Sequence, residues 1–155
     1  MSEFRLTSYQ QEDQESFACL VKDVHAEFGF SYDAELDADL DDPESHYLFI
    51  LLVKCGTSVV GSAALTEPRA ETTMLKRMYL RPSLRGLGWG RHLLDGVTER
   101  AIENGCNHIQ LDTRARQVGA RRLYEKTGFK LVSQDGDTLF YVKDVRPPNP
   151  ATFRR

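Results

Sequence analysis

The sequence Leu80-Arg81-Pro82-Ser83-Leu84-Arg85-Gly86-Leu87-Gly88-Trp89-Gly90-Arg91 decides the fold of this chain. Residues 72–80, which lead into it, are rich in β-branched, aromatic and long apolar side chains, a composition typical of a strand. Beyond it, apolar residues recur at helical spacing as far as Gly105, which is placed to end a helix. The chain is therefore predicted to run from a strand, through a glycine-rich turn, into a helix.

This glycine turn, residues 85–91, is predicted to bind a diphosphate-like anion. Gly86, Gly88 and Gly90 permit positive φ and allow a ligand to approach the main chain closely. The first turn of the following helix adds unpaired N–H groups and the positive end of the helix dipole. Arg85 and Arg91 add full charges beside it. The alternative is a tight turn whose glycines serve only the backbone geometry.

The spacing of the glycines separates the classes of phosphate ligand. A nucleoside-triphosphate loop needs Gly-x-x-x-x-Gly-Lys-Ser/Thr, which is absent. A dinucleotide fold needs Gly-x-Gly-x-x-Gly, and Arg91 occupies the place of the third glycine. The pattern present is Arg85-x-x-Gly88-x-Gly90. It resembles the Arg/Gln-x-x-Gly-x-Gly/Ala signature of the GNAT superfamily of N-acetyltransferases, which binds the pyrophosphate of acetyl-coenzyme A.

Composition restricts the function classes further. The chain has 155 residues, the length of one domain, and a net charge of -3, which gives no general attraction to nucleic acid or to an anionic membrane. The cysteines are three in number, widely spaced, and match neither a disulfide framework nor a zinc pattern. The first residues lack the apolar core of a signal peptide, and no apolar run is long enough to cross a bilayer. We therefore expect a cytoplasmic protein with no metal, for which a homodimer is compatible with the sequence.

The order of elements predicts a mixed α/β fold in one domain, residues 1–145, followed by a loosely held proline-rich tail, residues 146–155. Short turns join three consecutive strands, which predicts an antiparallel meander, and the helix after the glycine turn leads to a parallel strand. The predicted strands are 4–9, 46–53, 59–65, 72–80, 107–113, 129–132 and 138–142, and the predicted helices are 12–28, 90–104 and 117–126.

A second motif strengthens the resemblance. Residues 120–129, Ala-Arg-Arg-Leu-Tyr-Glu-Lys-Thr-Gly-Phe, look like the Ala-x-x-Leu-Tyr-x-x-x-Gly-Phe ending of GNAT enzymes. This motif lies downstream of the glycine turn by the right number of elements, and the resemblance covers roughly residues 57–140. It implies a GNAT-like fold, in which an antiparallel sheet is splayed between two central parallel strands and flanked by helices.

The resemblance also implies site residues. It places Tyr124 as the general acid that protonates the departing thiolate, for which a phenol is a plausible donor. It assigns the pyrophosphate to main-chain N–H groups of the glycine turn and the pantetheine arm to main-chain groups of the strand before it. The implied cofactor-binding residues are Met78, Tyr79, Leu80, Arg85, Gly86, Leu87, Gly88, Trp89, Gly90 and Arg91.

Two positions depart from the family pattern. Some members carry a glutamate base on the strand that leads into the glycine turn, near the position of Met74. Glu71 is the nearest acid, and a water chain or an amine that arrives neutral are the alternatives for deprotonation. Gln117 stands where members often have an asparagine, which shifts contacts to the pantetheine arm without removing them.

Acceptor recognition has two candidate regions. Asp112 and Thr113 end the parallel strand where the two parallel strands splay, and Asp112 either recognises an ammonium or caps the following turn. Residues 33–44 carry seven acids and no base. A calcium loop needs glycine at its sixth position, where Ala38 or Asp42 stands. The remaining interpretations are a solvated helical face and a field that attracts a cationic amine.

These observations predict an N-acetyltransferase that moves an acetyl group from acetyl-coenzyme A to a primary amine by direct attack in a ternary complex. A small-molecule acceptor is favoured, although its identity stays open between amino acid, polyamine, drug-like amine and protein amine. The alternative from another class is a non-catalytic module that binds or senses acyl-coenzyme A. A dinucleotide-dependent oxidoreductase ranks third, because of the missing glycine.

Overall fold

A seven-stranded mixed sheet forms the centre of the computed structural model, which describes residues 3–145. The predicted tail, residues 146–155, lies outside the described residues. The strands are β1 (Phe4–Ser8), β2 (Phe49–Cys55), β3 (Ser58–Leu65), β4 (Thr72–Leu80), β5 (His108–Arg114), β6 (Lys130–Asp135) and β7 (Thr138–Asp144). The helices are α1 (Gln14–Glu27), α2 (Pro43–His46), α3 (Trp89–Glu103) and α4 (Val118–Lys126).

The sheet order is β1-β2-β3-β4-β5-β7-β6, and β4 and β5 form its parallel pair. Their pairing covers Thr72 to Met74 against His108 to Gln110. Both strands continue beyond this point, β4 to Leu80 and β5 to Arg114, without further pairing to each other. The predicted fold, an antiparallel sheet splayed between two central parallel strands, is therefore confirmed.

The second predicted strand begins later than the sequence indicated. Residues 43–46 form the short helix α2, with Pro43 in its first turn, and β2 starts at Phe49 instead of His46. Proline is favoured at the first helical position, because the missing N–H would be unpaired there and the fixed φ suits a helix. A helix of one turn is too short to produce a hydrophobic periodicity in the sequence, so α2 cannot be distinguished there from the apolar strand that follows it. The predicted helix 12–28 is likewise divided into a 3₁₀ turn, Gln11–Asp13, and α1.

The two faces of the sheet bury separate apolar clusters. On one face, α3 packs its apolar side, which includes Leu93, Leu94 and Val97, against the sheet. On the other face, α1 packs with Phe17, Leu20 and related side chains. Burial on both faces explains why β2 and β3 are nearly continuous apolar runs. The sheet is thereby held as a rigid centre in which β4 and β5 diverge.

A bulge interrupts β4 just where it leaves β5. Ser62 and Ala64 of β3 pair with Tyr79 and Lys76, so that two residues of β4 lie opposite one residue of β3. Arg77, the first of these two, has a φ of 51°. A positive φ is uncommon outside glycine, and an extra residue bends the strand and increases its twist. Pairing between β3 and β4 resumes beyond the bulge.

The bulge is held by a buried ion-pair cluster. The Arg77 guanidinium donates from Nη2 to Asp37 at 2.9 Å and to Asp39 at 2.7 Å, and its side chain is 10% exposed. Tyr47 donates its hydroxyl to Asp39. Burial opposes ionisation of Asp39, but the hydrogen bonds from Arg77 and Tyr47 outweigh it and lower the pKa of this carboxyl.

This cluster corrects the interpretation of residues 33–44 as a solvated helical face. Asp37 and Asp39 are buried, and the segment forms turns and a short 3₁₀ stretch, Ala38–Asp41. No pattern near Asp39 points to its partner, because Arg77 lies 38 residues away in the chain. Only Asp33, Glu35 and the acids near α2 remain exposed, as the solvated interpretation expected.

We expect Arg77→Met to lower the free energy of unfolding by about 3–5 kcal/mol, because it leaves two buried carboxylates without a counter-charge. Arg81→Met is the control, since the pair between Arg81 and Asp23 is partly exposed and such pairs contribute at most about 1 kcal/mol. Urea denaturation at pH 7 measures both. The lowered pKa of Asp39 means that its stabilisation is present above about pH 4 and is lost as the pH falls through the folded-state pKa. Equal losses for the two variants would contradict a structural role of the cluster.

Candidate active site

A cleft of about 760 Å³ opens where β4 and β5 diverge. Its walls come from β4, from β5, from α4 and from the segment that follows α1. The side chains that line the cleft include His25, Phe30, Asp33, Glu35, His46, Lys76, Arg77, Tyr79, Asp112, Thr113, Gln117 and Tyr124. A volume of this size is within the range of small-molecule sites in proteins.

One wall of the cleft is a strand with an open main-chain edge. Tyr79 and Leu80 pair with Ser62 and Gly61 of β3, while pairing with β5 ended at Met74. The main chain of residues 75–80 on the β5 side is therefore available to an extended ligand arm, as in strand addition to a sheet edge. The carbonyl oxygen of Leu80 is already hydrogen-bonded, because it accepts from the Arg85 guanidinium at 2.9 and 3.1 Å.

The glycine turn joins this strand to α3 and presents a row of open amides. Gly86 and Gly88 have φ of 78° and 91°, so the two glycines adopt the left-handed conformation that the sequence suggested. Among residues 3–145, no carbonyl accepts from the amides between Gly86 and Arg91, and the first helical donor is His92, which bonds to Gly88. The Arg85 amide donates to Pro82, so the row begins one residue later than the resemblance implied.

The third glycine has a packing role. Gly90 is buried in the first turn of α3, and a β-carbon there would lie 2.6 Å from Leu123 of α4 and 3.4 Å from Leu80. Its absence lets the start of α3 approach β4 and α4 closely. The two sequence motifs, which lie 30 residues apart, therefore meet at this contact.

The arginine of the first motif is engaged by a carboxylate. Arg85 binds Glu27 of α1 with both terminal nitrogens, and Arg81 binds Asp23 one turn earlier at 2.7 Å. The expectation that Arg85 adds a full charge for an anion needs correction, because Glu27 neutralises it. Arg91 is exposed on the first turn of α3.

Tyr124 lies on α4 with its ring against Phe129 and Tyr141 and is 5% exposed. Burial raises the pKa of its hydroxyl, and negative charge on Tyr79 or Asp112 raises it further. The phenol is therefore protonated at neutral pH and is able to donate a proton into the cleft that it lines.

His25 is a residue of the cleft that the sequence did not single out. Its Nε2 lies 2.8 Å from the Tyr79 hydroxyl and 3.5 Å from Arg77 Nη1. Burial and then the positive charge of Arg77 lower the pKa of this histidine, so it is neutral at pH 7. Its position in the amphipathic pattern of α1 gave no signal, because a half-buried histidine on a helix looks like an ordinary boundary residue.

The residues at the end of β5 have local partners. Asp112 lies 4.0 Å from Lys76 across the splay, with both side chains about 40% exposed. The Thr113 hydroxyl donates to Gln117 Oε1 at 2.9 Å, and the Arg114 amide donates to the same oxygen. Gln117 therefore caps the turn, a role that the sequence had offered to Asp112.

Glu71 lies outside the cleft. Its side chain accepts a hydrogen bond from Asn107, and its carbonyl accepts from the Asn107 amide at 2.7 Å. This position is at the paired end of β4 and β5, opposite to the splayed end. The structure therefore contradicts the candidate role of Glu71 as a base, and Met74 is not at the cleft wall either.

Other classes of site are not found in the part of the chain that the structure describes. Residues 3–145 contain no cluster of histidine, cysteine and acidic side chains suited to a metal ion. They also contain no helix with the length and apolar character needed to span a membrane. Cys19, Cys55 and Cys106 are free thiols.

Comparison with known proteins assigns the family. The profile of the acetyltransferase (GNAT) family matches residues 7–129. The chain belongs to the GNAT family. It is 30% identical over 129 residues to the uncharacterized N-acetyltransferase YjgM of Escherichia coli, and the match covers 77% of each chain. Membership supports acetyl transfer that depends on an acyl-coenzyme A as the general activity of this GNAT protein.

Solved structures show the same GNAT fold. A GNAT acetyltransferase of Staphylococcus aureus superposes with a TM-score of 0.85 at 22% identity, covering 93% of this chain and 100% of that chain. The paia N-acetyltransferase of Thermoplasma acidophilum, solved in complex with coenzyme A, gives a TM-score of 0.75 at 19% identity and covers 92% and 99%. The predicted GNAT-like fold is thus confirmed independently of the sequence motifs.

Proposed function

We propose that this GNAT protein transfers the acetyl group of acetyl-coenzyme A to a primary amine by direct attack in a ternary complex. The observation that carries the proposal is that one region combines an open strand edge, a row of open amides and a protonated buried phenol. The strand edge is residues 78–80, the amides are those of 86–91, and the phenol is Tyr124. An acyl thioester with a diphosphate at the end of its arm needs these three parts.

The residues of the glycine turn fit the diphosphate. A β-carbon on Gly86 or Gly88 would meet nothing within 4 Å, so the space over the open amides is clear. Amides at the start of a helix bind phosphate by hydrogen bonds and by the helix dipole. Main-chain groups of Met78, Tyr79 and Leu80 then align the arm, so that the thioester lies in the cleft.

Residues of the cleft would stabilise the oxyanion that forms on attack and would protonate the sulfur that leaves. The amine attacks the thioester carbonyl, whose oxygen gains charge and is stabilised by a fixed main-chain donor of β4. Tyr124 gives its proton to the sulfur as the carbon–sulfur bond breaks. A ternary complex is supported by the lining of the cleft, which includes residues of the segment after α1 and of the end of β5 beside those of β4.

We further propose a small cationic amine as the acceptor. Asp37 and Asp39 are neutralised in part by Arg77, and Asp112 faces Lys76. Asp33 and Glu35 remain at the mouth of the cleft without a basic side chain paired to them among residues 3–145. A cleft with this excess of negative charge raises the local concentration of a cation.

Acetyl-coenzyme A should raise the thermal midpoint of the parent by an amount that grows with ligand concentration, while NAD should not. Gly88→Glu should abolish the shift, because a carboxylate would enter the space of the diphosphate. Gly105→Glu is the matched control: Gly105 also has positive φ, 77°, and open space, but lies at the other end of α3. Differential scanning fluorimetry reads both. A parent that responds equally to NAD, or not to acetyl-coenzyme A, would refute the proposed co-substrate.

Asp33→Asn combined with Glu35→Gln should raise the acceptor KM and weaken its dependence on salt, because the mouth of the cleft loses two charges. The affinity for acetyl-coenzyme A should not change. Asp41→Asn removes an exposed acid of the same segment that does not line this cleft, and it serves as the control. Steady-state kinetics at low and high salt test the effect. An unchanged KM at low salt would refute a role of these acids in attracting the acceptor.

Tyr124→Phe should lower kcat by roughly a hundredfold or more with little change in coenzyme affinity, because only the proton donor is lost. Tyr141→Phe is the control, since Tyr141 is fully buried beside Tyr124 but bonds to Glu125 outside the cleft. The acceptor is first chosen by an amine screen that follows thiol release. A Tyr124→Phe kcat within about threefold of the parent would remove this phenol from the mechanism. A parent that binds acetyl-coenzyme A but acetylates no amine would favour a sensor.

A further inference from the structure

The proposed reaction needs a group that takes a proton from the attacking amine, and Glu71 does not line the cleft. The acids that do line it are engaged or peripheral. Asp37 and Asp39 bind Arg77, Asp112 faces Lys76, and the Asp33 carboxylate accepts two main-chain amides at 2.9 Å. His46 and Glu35 also line the cleft, but both are exposed to solvent. The pair formed by His25 and Tyr79 is half-buried in the cleft wall and is joined by a hydrogen bond.

The hydrogen bonds around His25 fix the direction of this pair. Arg77 can only donate, and its Nη1 lies 3.5 Å from His25 Nε2. The Nε2 atom therefore carries the lone pair, and the neutral ring has its proton on Nδ1. Tyr79 must then donate its hydroxyl proton to Nε2, over 2.8 Å. The Tyr79 oxygen also interacts with the Arg77 guanidinium, which leaves one of its two lone pairs to accept a proton from a ligand.

The pair is also fixed in orientation. The His25 ring meets the Tyr79 ring edge to face, at 5.4 Å between centroids and 85° between planes. Phe30 also meets the imidazole edge to face, at 5.7 Å between centroids. Tyr79 belongs to the strand just beyond the bulge, so its side chain is placed by the same main chain that is proposed to align the thioester arm. Tyr79 and Tyr124 both line the cleft.

We propose that Tyr79 and His25 form a relay that removes the proton of the acceptor amine. The inference rests on the proposed acetyl transfer. The acceptor ammonium first gives one proton to water. The nitrogen of the resulting neutral amine then bonds to the thioester carbon while one of its remaining N–H protons passes to the Tyr79 oxygen and the Tyr79 proton passes to His25 Nε2. The carbon–sulfur bond then breaks as the carbonyl reforms, and the sulfur takes the Tyr124 proton. After release of the products, His25 loses its extra proton to water and Tyr124 regains one.

The charges around His25 suit a base that works at neutral pH. Burial and Arg77 lower the pKa of the imidazole, while Asp37 and Asp39 oppose this change. The histidine is therefore neutral at pH 7 and ready to accept a proton. Its active form is lost as the pH falls through this pKa, which lies below the ordinary value of about 6.5. Tyr79 stays protonated, because burial raises the pKa of its hydroxyl, against the effect of Arg77.

His25→Gln is the first test. It keeps a polar side chain of similar reach but cannot accept a proton, so kcat at pH 7.5 should fall by roughly a hundredfold, the scale of one general base. The acidic limb of the kcat profile below pH 6.5, expected in the parent, should disappear in the variant. His108→Gln is the matched control, since His108 is a half-buried histidine of β5 that does not line the cleft. That control should keep both the rate and the limb.

Tyr79→Phe is the second test. It removes the hydroxyl that joins His25 to the cleft, so it should reproduce both the loss in kcat and the loss of the acidic limb. Combined with His25→Gln, it should add little, because the two groups move one proton and their effects are not additive. The thermal shift with acetyl-coenzyme A checks that each variant still folds and still binds the co-substrate.

Three outcomes would overturn the relay. The first is a His25→Gln kcat within about threefold of the parent with the acidic limb retained. The second is a lower kcat with the limb unchanged, which would assign His25 to positioning alone. The third is a double variant whose losses multiply, which would separate the two groups. All three presuppose an active parent, so they are distinct from the failure of the proposed function, in which the parent has no turnover.

Discussion

The separation of β4 from β5 depends on a buried salt bridge. Arg77 occupies a left-handed backbone position in the bulge of β4, and its guanidinium is held by Asp37 and Asp39. These carboxylates belong to the segment that forms the acceptor side of the cleft, so one cluster fixes both walls. Burying three charges is costly, and hydrophobic replacements often give equal or greater stability. We infer that the cluster is retained for the geometry that it imposes on β4 and on residues 33–39.

The cleft gathers its chemistry from distant parts of the chain. The proposed coenzyme side comes from a continuous stretch of the chain, from β4 through the start of α3. The acceptor side is assembled from α1, from the segment after it, from the end of β5 and from α4. Gly90 ties the two sides together, because the absence of a side chain lets α3 approach Leu123 of α4. In the proposed function, the coenzyme would occupy the continuous stretch and the acceptor the part that is assembled from several elements.

The difference between these two sides explains what the sequence could reveal. The glycine turn and the alternation of strands and helices were predictable, since positive φ at Gly88 and helical spacing leave local patterns. Tyr124 was found through its motif and not through its own surroundings. The pairing of Arg77 with Asp39 and of His25 with Tyr79 leaves no local trace, because the partners lie 38 and 54 residues apart. Such contacts depend on the fold as a whole. Glu71 shows the converse: it is the acid nearest in sequence to the expected position of the base, but it lies beside Asn107 at the other end of the β4–β5 pair.

Two ion pairs of the same spacing join helix α1 to the chain between β4 and α3. Asp23 and Glu27 lie one turn apart on the helix, and they meet Arg81 and Arg85, which are also four residues apart. His25 lies between the two acids on this helix. Helix α1, which carries His25, is thus joined by ion pairs to the residues that precede the open amides. Helix α1 therefore contacts both halves of the cleft. Ordering of the glycine turn by one ligand would be transmitted to the other half through α1. The two substrates need not bind independently.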